Sequence, residues 1–125
     1  MIMTTKIVIC DEFTKDVKHL SKKYKSIERD LQDVVKALRT DWLKVSHIER
    51  INNLWQDIKI PVYKMRRVWC ESLKSPSKLR LIFAYDEKTN EIQLIQFLEI
   101  YAKADKAVED RERIRKYLVW KDHIE

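Results

Sequence analysis

Hydrophobic and polar positions follow two different periods along this chain. In its first third, apolar side chains recur every three or four positions with charged residues between them, as in an amphipathic helix; they are Val17, Leu20, Tyr24, Ile27, Leu31, Val34, Val35 and Leu38. Because one helix of that span would be long for a small domain, and since Ser26 can cap a second helix, the pattern predicts a helical hairpin that breaks near Lys25 and Ser26. A β-rich strand is expected before it at Lys6–Cys10, and Thr14 is expected to cap the first helix.

Three later runs alternate apolar and polar side chains with the period of two that is typical of strands. They span residues 62–69, 79–85 and 91–103. In the last run, the apolar side is expected to hold Ile92, Leu94, Leu98 and Ile100. If the apolar sides of all three strands face one core, the opposite face of the sheet carries a set of basic and polar residues: Lys64, Arg66, Arg80, Glu99, Tyr101 and Lys103.

The segments between and after these runs predict further elements. Ser46 and Glu49 have the spacing of a capping box, and the apolar residues that follow predict a short third helix over residues 48–58. A polar loop is expected at residues 71–77, and Asn90 is expected in a turn with positive φ. The segment Asp105–Trp120 predicts a closing helix. Neither a repeat nor a linker interrupts the chain, so residues 1–125 are expected to form a single domain.

The composition excludes several classes of site. The chain contains no glycine, which rules out the glycine-loop phosphate sites of the Rossmann and P-loop classes. Its histidines (His19, His47 and His123) stand far apart and no paired-cysteine motif occurs, so neither a metal nor a small-molecule cofactor is expected. The two cysteines, Cys10 and Cys70, are expected to be free thiols.

The charge balance indicates the kind of partner. A net charge of +6 favours polyanions, since Lys and Arg side chains that neutralise phosphates release counterions. No apolar run is long enough to cross a bilayer, and no export signal begins the sequence. A cytoplasmic protein without a membrane partner is therefore expected.

The basic and polar face has the residue types that phosphodiester cleavage needs. Attack by a ribose 2′-hydroxyl requires a base for that hydroxyl, cations for the charge on the phosphoryl oxygens, and a proton donor for the leaving 5′-oxygen. A lysine crowded by other cations loses its proton more easily, and Arg80 can hold two phosphate oxygens at once. Tyr101 can stack on a base or donate a proton. The alternative is a solvated, salt-bridged face without chemistry.

Four segments in this order resemble the RelE/ParE superfamily of bacterial toxins: 13–20 (Phe-Thr-Lys-Asp-Val-Lys-His-Leu), 62–66 (Val-Tyr-Lys-Met-Arg), 79–85 (Leu-Arg-Leu-Ile-Phe-Ala-Tyr) and 99–103 (Glu-Ile-Tyr-Ala-Lys). The resemblance covers residues 7–118. It implies an α+β, RelE-like domain in which an N-terminal strand and a helical hairpin pack on an antiparallel sheet of about four strands, with a C-terminal helix. In the RelE branch it also implies the toxin of a type II toxin–antitoxin system, an endoribonuclease that cuts mRNA in the ribosomal A site by 2′-hydroxyl attack.

The resemblance also implies roles for single residues. Lys64 and Arg66 fall where the RelE branch has two strand lysines that act as base and charge stabiliser, and Arg80 falls on its phosphate-holding arginine. Tyr101 or Lys103 would then donate the proton to the leaving group, with Glu99 beside them. The implied partners are a cognate antitoxin protein, mRNA and the ribosome.

Two rival hypotheses come from departures from that pattern and from the charge. Ala104 stands where the RelE branch has an arginine, and no tyrosine follows until Tyr117. Since other members of the superfamily inhibit DNA gyrase, a non-nucleolytic protein is the first alternative: a gyrase inhibitor, or an inactive homologue that binds an antitoxin or nucleic acid. A plain basic RNA-binding domain is the second.

Overall fold

The computed structural model describes residues 4–41, 47–68, 78–87 and 92–120. These residues form five strands and three helices: β1 (Thr4–Ile9), α1 (Asp11–Ser21), α2 (Ile27–Asp41), β2 (Ile48–Arg50), β3 (Val62–Met65), β4 (Leu79–Glu87), β5 (Ile92–Ala102) and α3 (Arg111–Arg115), which continues into a π-helical turn (Lys116–Trp120). The predicted α+β class is therefore confirmed. The predictions for Ser46, Cys70, the loop 71–77, Asn90 and the last residue of the first strand run (Trp69) lie outside the described residues.

The strands form one mixed sheet in the order β1-β5-β4-β3-β2. β1 runs parallel to β5, with Ile7 opposite Ile95, whereas the other neighbours are antiparallel. The sheet thus differs from the expected arrangement of about four antiparallel strands. A parallel pair needs a long crossover between its strands, and the α1–α2 hairpin is part of that connection.

The helical hairpin predicted from the apolar stripe is present. α1 ends at Ser21 and α2 begins at Ile27, so the break falls at residues 22–26, where it was expected. The predicted cap of α1 is wrong, because the helix begins at Asp11 and the amide of Thr14 donates to the carbonyl of Cys10 (3.2 Å) within the first turn. Asp11 and Glu12 favour this earlier start, since carboxylates complement the positive end of the helix dipole.

The short helix predicted over residues 48–58 is wrong. Its first residues pair with β3 as strand β2, and residues 51–60 contain neither helix nor strand. Asn53 has a φ of 63°, a left-handed conformation that the interior of an α-helix does not accept. Ile51 is buried against the sheet. Packing at the sheet edge therefore outweighs the helical spacing of the apolar residues.

The C-terminal helix is shorter than predicted, because residues 103–110 form turns and α3 begins only at Arg111. Asp110 caps α3 by accepting a hydrogen bond from the amide of Arg113 (3.0 Å). The guanidinium of Arg113 also donates to Asp16 in α1 (Nη1 to Oδ2, 2.5 Å) and to the carbonyl of Leu98 in β5 (3.1 Å). These bonds attach the C-terminal element to both layers.

Apolar side chains cover both faces of the sheet, whereas the alternation predicted one core on one face. The hairpin face, named for the α1–α2 layer that covers it, has buried members that include Phe13, Leu31, Leu81, Phe83 and Phe97. The opposite face, called the charged face below, packs against residues 51–60, α3 and the π-helical turn. Its buried members include Val62, Ile82, Leu98, Ile114 and Leu118.

A β-bulge changes the alternation in β5. The register between β4 and β5 shifts between Ile82 and Phe83, which makes Leu98 an extra residue in its strand. Leu98 consequently lies on the charged face and Ile100 on the hairpin face. The prediction that these two side chains share a side is therefore wrong.

Candidate functional site

Four of the predicted site residues lie together on the charged face. Lys64 is in β3, Arg80 in β4, and Glu99 and Tyr101 are in β5. Arg80 is directly opposite Tyr101, while Lys64 and Glu99 are opposite Ile82 from its two sides. Because directly paired residues of antiparallel strands share a face, these side chains converge on one part of the sheet.

These side chains are covered. The exposed fraction is 8% for Lys64 and for Arg80, 6% for Tyr101 and 1% for Glu99. The apolar cluster of the charged face lies beside them, and residues 103–110 place further charged groups against this face. The face is therefore salt-bridged but not solvated.

The ammonium of Lys64 is paired with a carboxylate that the sequence analysis missed. Its Nζ lies 2.6 Å from Oε1 of Glu109, and the two side chains are 11% and 2% exposed. Burial by itself would raise the pKa of Glu109 and is the largest single influence on it. The hydrogen bond from Lys64, a backbone hydrogen bond, the charge of Lys64 and a hydrogen bond from Arg111 together outweigh burial and hold that pKa below its ordinary value. Glu109 is thus ionised at neutral pH and neutralises Lys64. Nothing in the local pattern could have revealed Glu109, since its segment was assigned to a helix.

Glu99 fastens the covering segment to the sheet. Its Oε2 accepts a hydrogen bond from Nζ of Lys106, and its Oε1 accepts one from the amide of Asp110 (2.8 Å). Lys106 is partly exposed, whereas the Glu99 side chain is almost fully buried. Glu99 is therefore engaged with residues 103–110 and holds them over the site.

The hydroxyl of Tyr101 is buried and has no hydrogen-bond partner among the described residues. Burial, followed by the nearby carboxylates Glu109 and Glu99, raises the pKa of Tyr101 to about 12, although Arg80 and Arg66 oppose the increase. The phenol consequently keeps its proton across the physiological range. It is a donor without an acceptor, at the centre of the charged residues.

Arg80 lies below the turn that follows β3. Its Nη1 donates to the carbonyl of Arg66 (3.0 Å) and to the carbonyl of Leu79 (3.3 Å). The guanidinium therefore supports the backbone that carries Arg66 and also places a positive charge next to Tyr101.

Arg66 and Lys103, the two remaining predicted residues, lie at the exposed rim of the charged face. Nε of Arg66 donates to Oε1 of Glu49 in β2 (2.8 Å), and both side chains of this pair are about half exposed. Lys103 is exposed, and its amide donates to the carbonyl of Lys78 (2.8 Å) next to β4. The structure thus separates the predicted set into a buried centre and an exposed rim.

The arrangement brings together cations, an ionised carboxylate and a protonated phenol. Lys64 and Arg80 can stabilise a phosphoryl group, and an ionised carboxylate can accept a proton once its ammonium partner is occupied elsewhere. Among the described residues, no group of three or more His, Cys, Asp or Glu side chains is arranged to hold a metal ion. The chemistry available at the charged face is therefore anion binding and proton transfer.

No protein-family model matches the chain, and neither a curated protein nor a solved structure matches it. Within the described ranges, no helix is both long enough and apolar enough to span a membrane. The geometry of the charged face is consequently the main structural indication of function.

Proposed function

We propose that this protein is a RelE-like toxin, an endoribonuclease that cuts ribosome-bound mRNA by 2′-hydroxyl attack. The observation that carries the proposal is the convergence of Lys64, Arg80 and Tyr101 from three adjacent strands, with Arg66 at the rim. These are the cations and the proton donor that phosphodiester cleavage requires, and no metal is needed for such a reaction.

In this proposal the exposed and buried residues act in sequence. Arg66 and Lys103 attract the RNA backbone, and Arg80 with Lys64 stabilises the charge on the phosphoryl oxygens. The 2′-oxygen forms the new bond to phosphorus while the bond to the 5′-oxygen breaks. Tyr101 gives its proton to that 5′-oxygen, and the products are a 2′,3′-cyclic phosphate and a free 5′-hydroxyl.

Glu109 is the proposed acceptor of the 2′-hydroxyl proton, a role that the resemblance had given to Lys64. Nζ of Lys64 is already paired with the carboxylate of Glu109, so Lys64 is proposed here to stabilise charge on the phosphoryl group. Once Lys64 contacts a phosphate instead, Glu109 loses one of the contacts that lower its pKa, although its pairing with Arg111 remains, and it becomes a better base.

Access to the site requires residues 103–110 to move. They contain neither helix nor strand, and Val108 within them is 63% exposed, so few apolar contacts hold them in place. Their ion pairs with the sheet are those of Lys64 with Glu109 and of Glu99 with Lys106, and Glu109 and Asp110 also pair with Arg111 and Arg113 of α3. The ribosome with its mRNA is the proposed partner that displaces them, and a cognate antitoxin is the proposed partner that keeps them closed.

The test is cleavage of mRNA on programmed ribosomes by the purified protein, with the RNA ends mapped. Wild-type protein is expected to create 2′,3′-cyclic phosphate ends, and Lys64→Ala and Arg80→Ala are expected to abolish them. Lys15→Ala, an exposed change on α1, is the matched control and should cleave normally. Circular dichroism shows whether each variant is folded. Failure to form cyclic ends, or equal cleavage by folded Lys64→Ala, would refute the proposal.

The Lys64–Glu109 pair also favours a second candidate function, a non-nucleolytic protein that binds nucleic acid or an antitoxin. In such a protein Glu109 would simply neutralise a buried lysine, and the exposed Arg66 and Lys103 would bind the partner. Expression in cells separates the two candidates. Growth arrest with intact mRNA, or no arrest, favours the binding protein, whereas arrest with cut mRNA favours the nuclease.

A further inference from the structure

A cavity lies on the hairpin face, between the two helices of the hairpin. Its volume of about 660 Å³ falls within the range of roughly 300–1,000 Å³ that is usual for small-molecule sites. Its apolar lining comes from both helices, the end of β1 and the middle of β5: Ile9, Phe13, Val17, Leu31, Val35 and Phe97. Apolar surface in contact with water is unfavourable, and Ile9 at this site is 51% exposed. The cavity is therefore suited to an apolar group.

Charge is distributed unevenly along this cavity. Lys36 and Arg39 line it from the C-terminal part of α2, whereas Glu28 lines it from the first turn. At the rise of an α-helix, Arg39 is about 16 Å from Glu28 along the axis. Lys18 is in the last turn of α1, which in a helical hairpin lies beside the first turn of α2. One end of the cavity thus has charges of both signs, and the other end has cations alone.

Among the described residues, the two cations at that end have no carboxylate partner. Lys36 and Arg39 are exposed, and neither makes an ion pair with another residue that the structure describes. An anion between them would form charge-assisted hydrogen bonds without displacing an existing partner. A ligand that fills the cavity should therefore have one negative end and one apolar end.

We propose that the cavity binds a small amphiphile with a single anionic head, for which a carboxylate is the test case, and an apolar tail. The head contacts Lys36 and Arg39, and the tail lies over Phe13, Val17 and Leu31. This binding site is on the opposite side of the sheet from the charged face, and it does not depend on the nuclease proposal.

The test is calorimetric titration of the full chain with octanoate, and with 1-octanol as the uncharged analogue. Octanoate is expected to bind at one site and more tightly than octanol. The double variant Lys36→Gln/Arg39→Gln is expected to weaken octanoate binding about tenfold and to leave octanol binding unchanged. Lys15→Gln/Lys22→Gln, which removes two exposed cations outside the cavity, is the matched control and should bind octanoate normally.

Methyl-resolved NMR of the wild-type protein locates the ligand without a destabilising substitution. Octanoate is expected to shift the methyl signals of Ile9, Val17, Leu31 and Val35. The proposal is overturned if octanol binds as tightly as octanoate, if the charge variant binds octanoate normally, or if the shifts occur elsewhere. It is also overturned if octanoate does not bind. If an acidic amphipathic peptide then shifts these methyl signals, the cavity is part of a protein-docking surface.

Discussion

The two faces of the sheet are stabilised by different interactions. On the hairpin face, aromatic side chains pack directly, with ring centroids 5.3 Å apart for Phe13 and Phe97. On the charged face, the Lys64–Glu109 pair lies beside an apolar cluster. Burial of apolar surface stabilises a fold directly, whereas the attraction within a buried ion pair is largely offset by desolvation. The chain thus keeps charges where an apolar core would be at least as stable, which is typical of a functional site.

The largest loss of stability is expected on the hairpin face. Phe97→Ala should lower the free energy of unfolding by about 4 kcal/mol, because it removes buried apolar surface and leaves a cavity. Urea denaturation measures this change. Val8→Ala, on the exposed edge strand, is the control and should change stability by no more than about 0.5 kcal/mol. Similar effects of the two substitutions would contradict the assignment of the hairpin face as the stabilising core.

A slightly smaller loss is expected when one charge of the buried pair is removed. Glu109→Ala leaves Lys64 without its partner and should cost about 3 kcal/mol in the same urea assay. The double variant Lys64→Met/Glu109→Leu should recover to within about 1 kcal/mol of the wild type, since no unpaired charge remains. A double variant as unstable as Glu109→Ala would mean that the ion pair contributes net stability. The charged face would then be stabilised by its ion pair, as the hairpin face is by apolar burial.

Acid should weaken the charged face in particular. The pKa of Glu109 is lowered in the folded state, so its contribution is present above the ordinary carboxyl pKa and is lost as the pH falls through the folded value. The free energy of unfolding of the wild type, measured from pH 7 to pH 3, should therefore decrease more than that of Glu109→Gln. The pKa values of Glu12 and Glu49 are also lowered, which leaves a smaller decrease in the variant. If the free energy of unfolding decreased equally with pH in the wild type and in Glu109→Gln, Glu109 would be excluded as a source of the acid sensitivity.

The smallest effect on stability is expected at the centre of the site. Tyr101→Phe removes a buried hydroxyl that has no partner among the described residues, so stability should be unchanged or rise by about 1 kcal/mol. Because the pKa of Tyr101 is raised to about 12, wild-type stability should fall as the pH rises above 10, and the variant should lack this part of the decrease. Under the nuclease proposal, the same stable variant should cleave mRNA poorly.

The sequence by itself determined the helical hairpin and the face on which most of the site residues lie. Apolar residues three and four positions apart predicted the helical hairpin, and alternation in β3, β4 and β5 assigned Lys64, Arg80, Glu99 and Tyr101 to one face. These properties follow from the periods of helices and strands, which neighbouring residues establish among themselves. The α+β class follows from the same local information.

The tertiary structure alone decided which strands pair and what covers the site. The parallel partner of β1, the bulge at Leu98 and the ion pair between Lys64 and Glu109 all join segments far apart in the chain. Residues 48–58 have helical spacing but form a strand and an irregular segment, because packing against the sheet edge outweighs a weak local preference. Burial of a charged site depends on such distant contacts, and for this reason no local pattern encodes it.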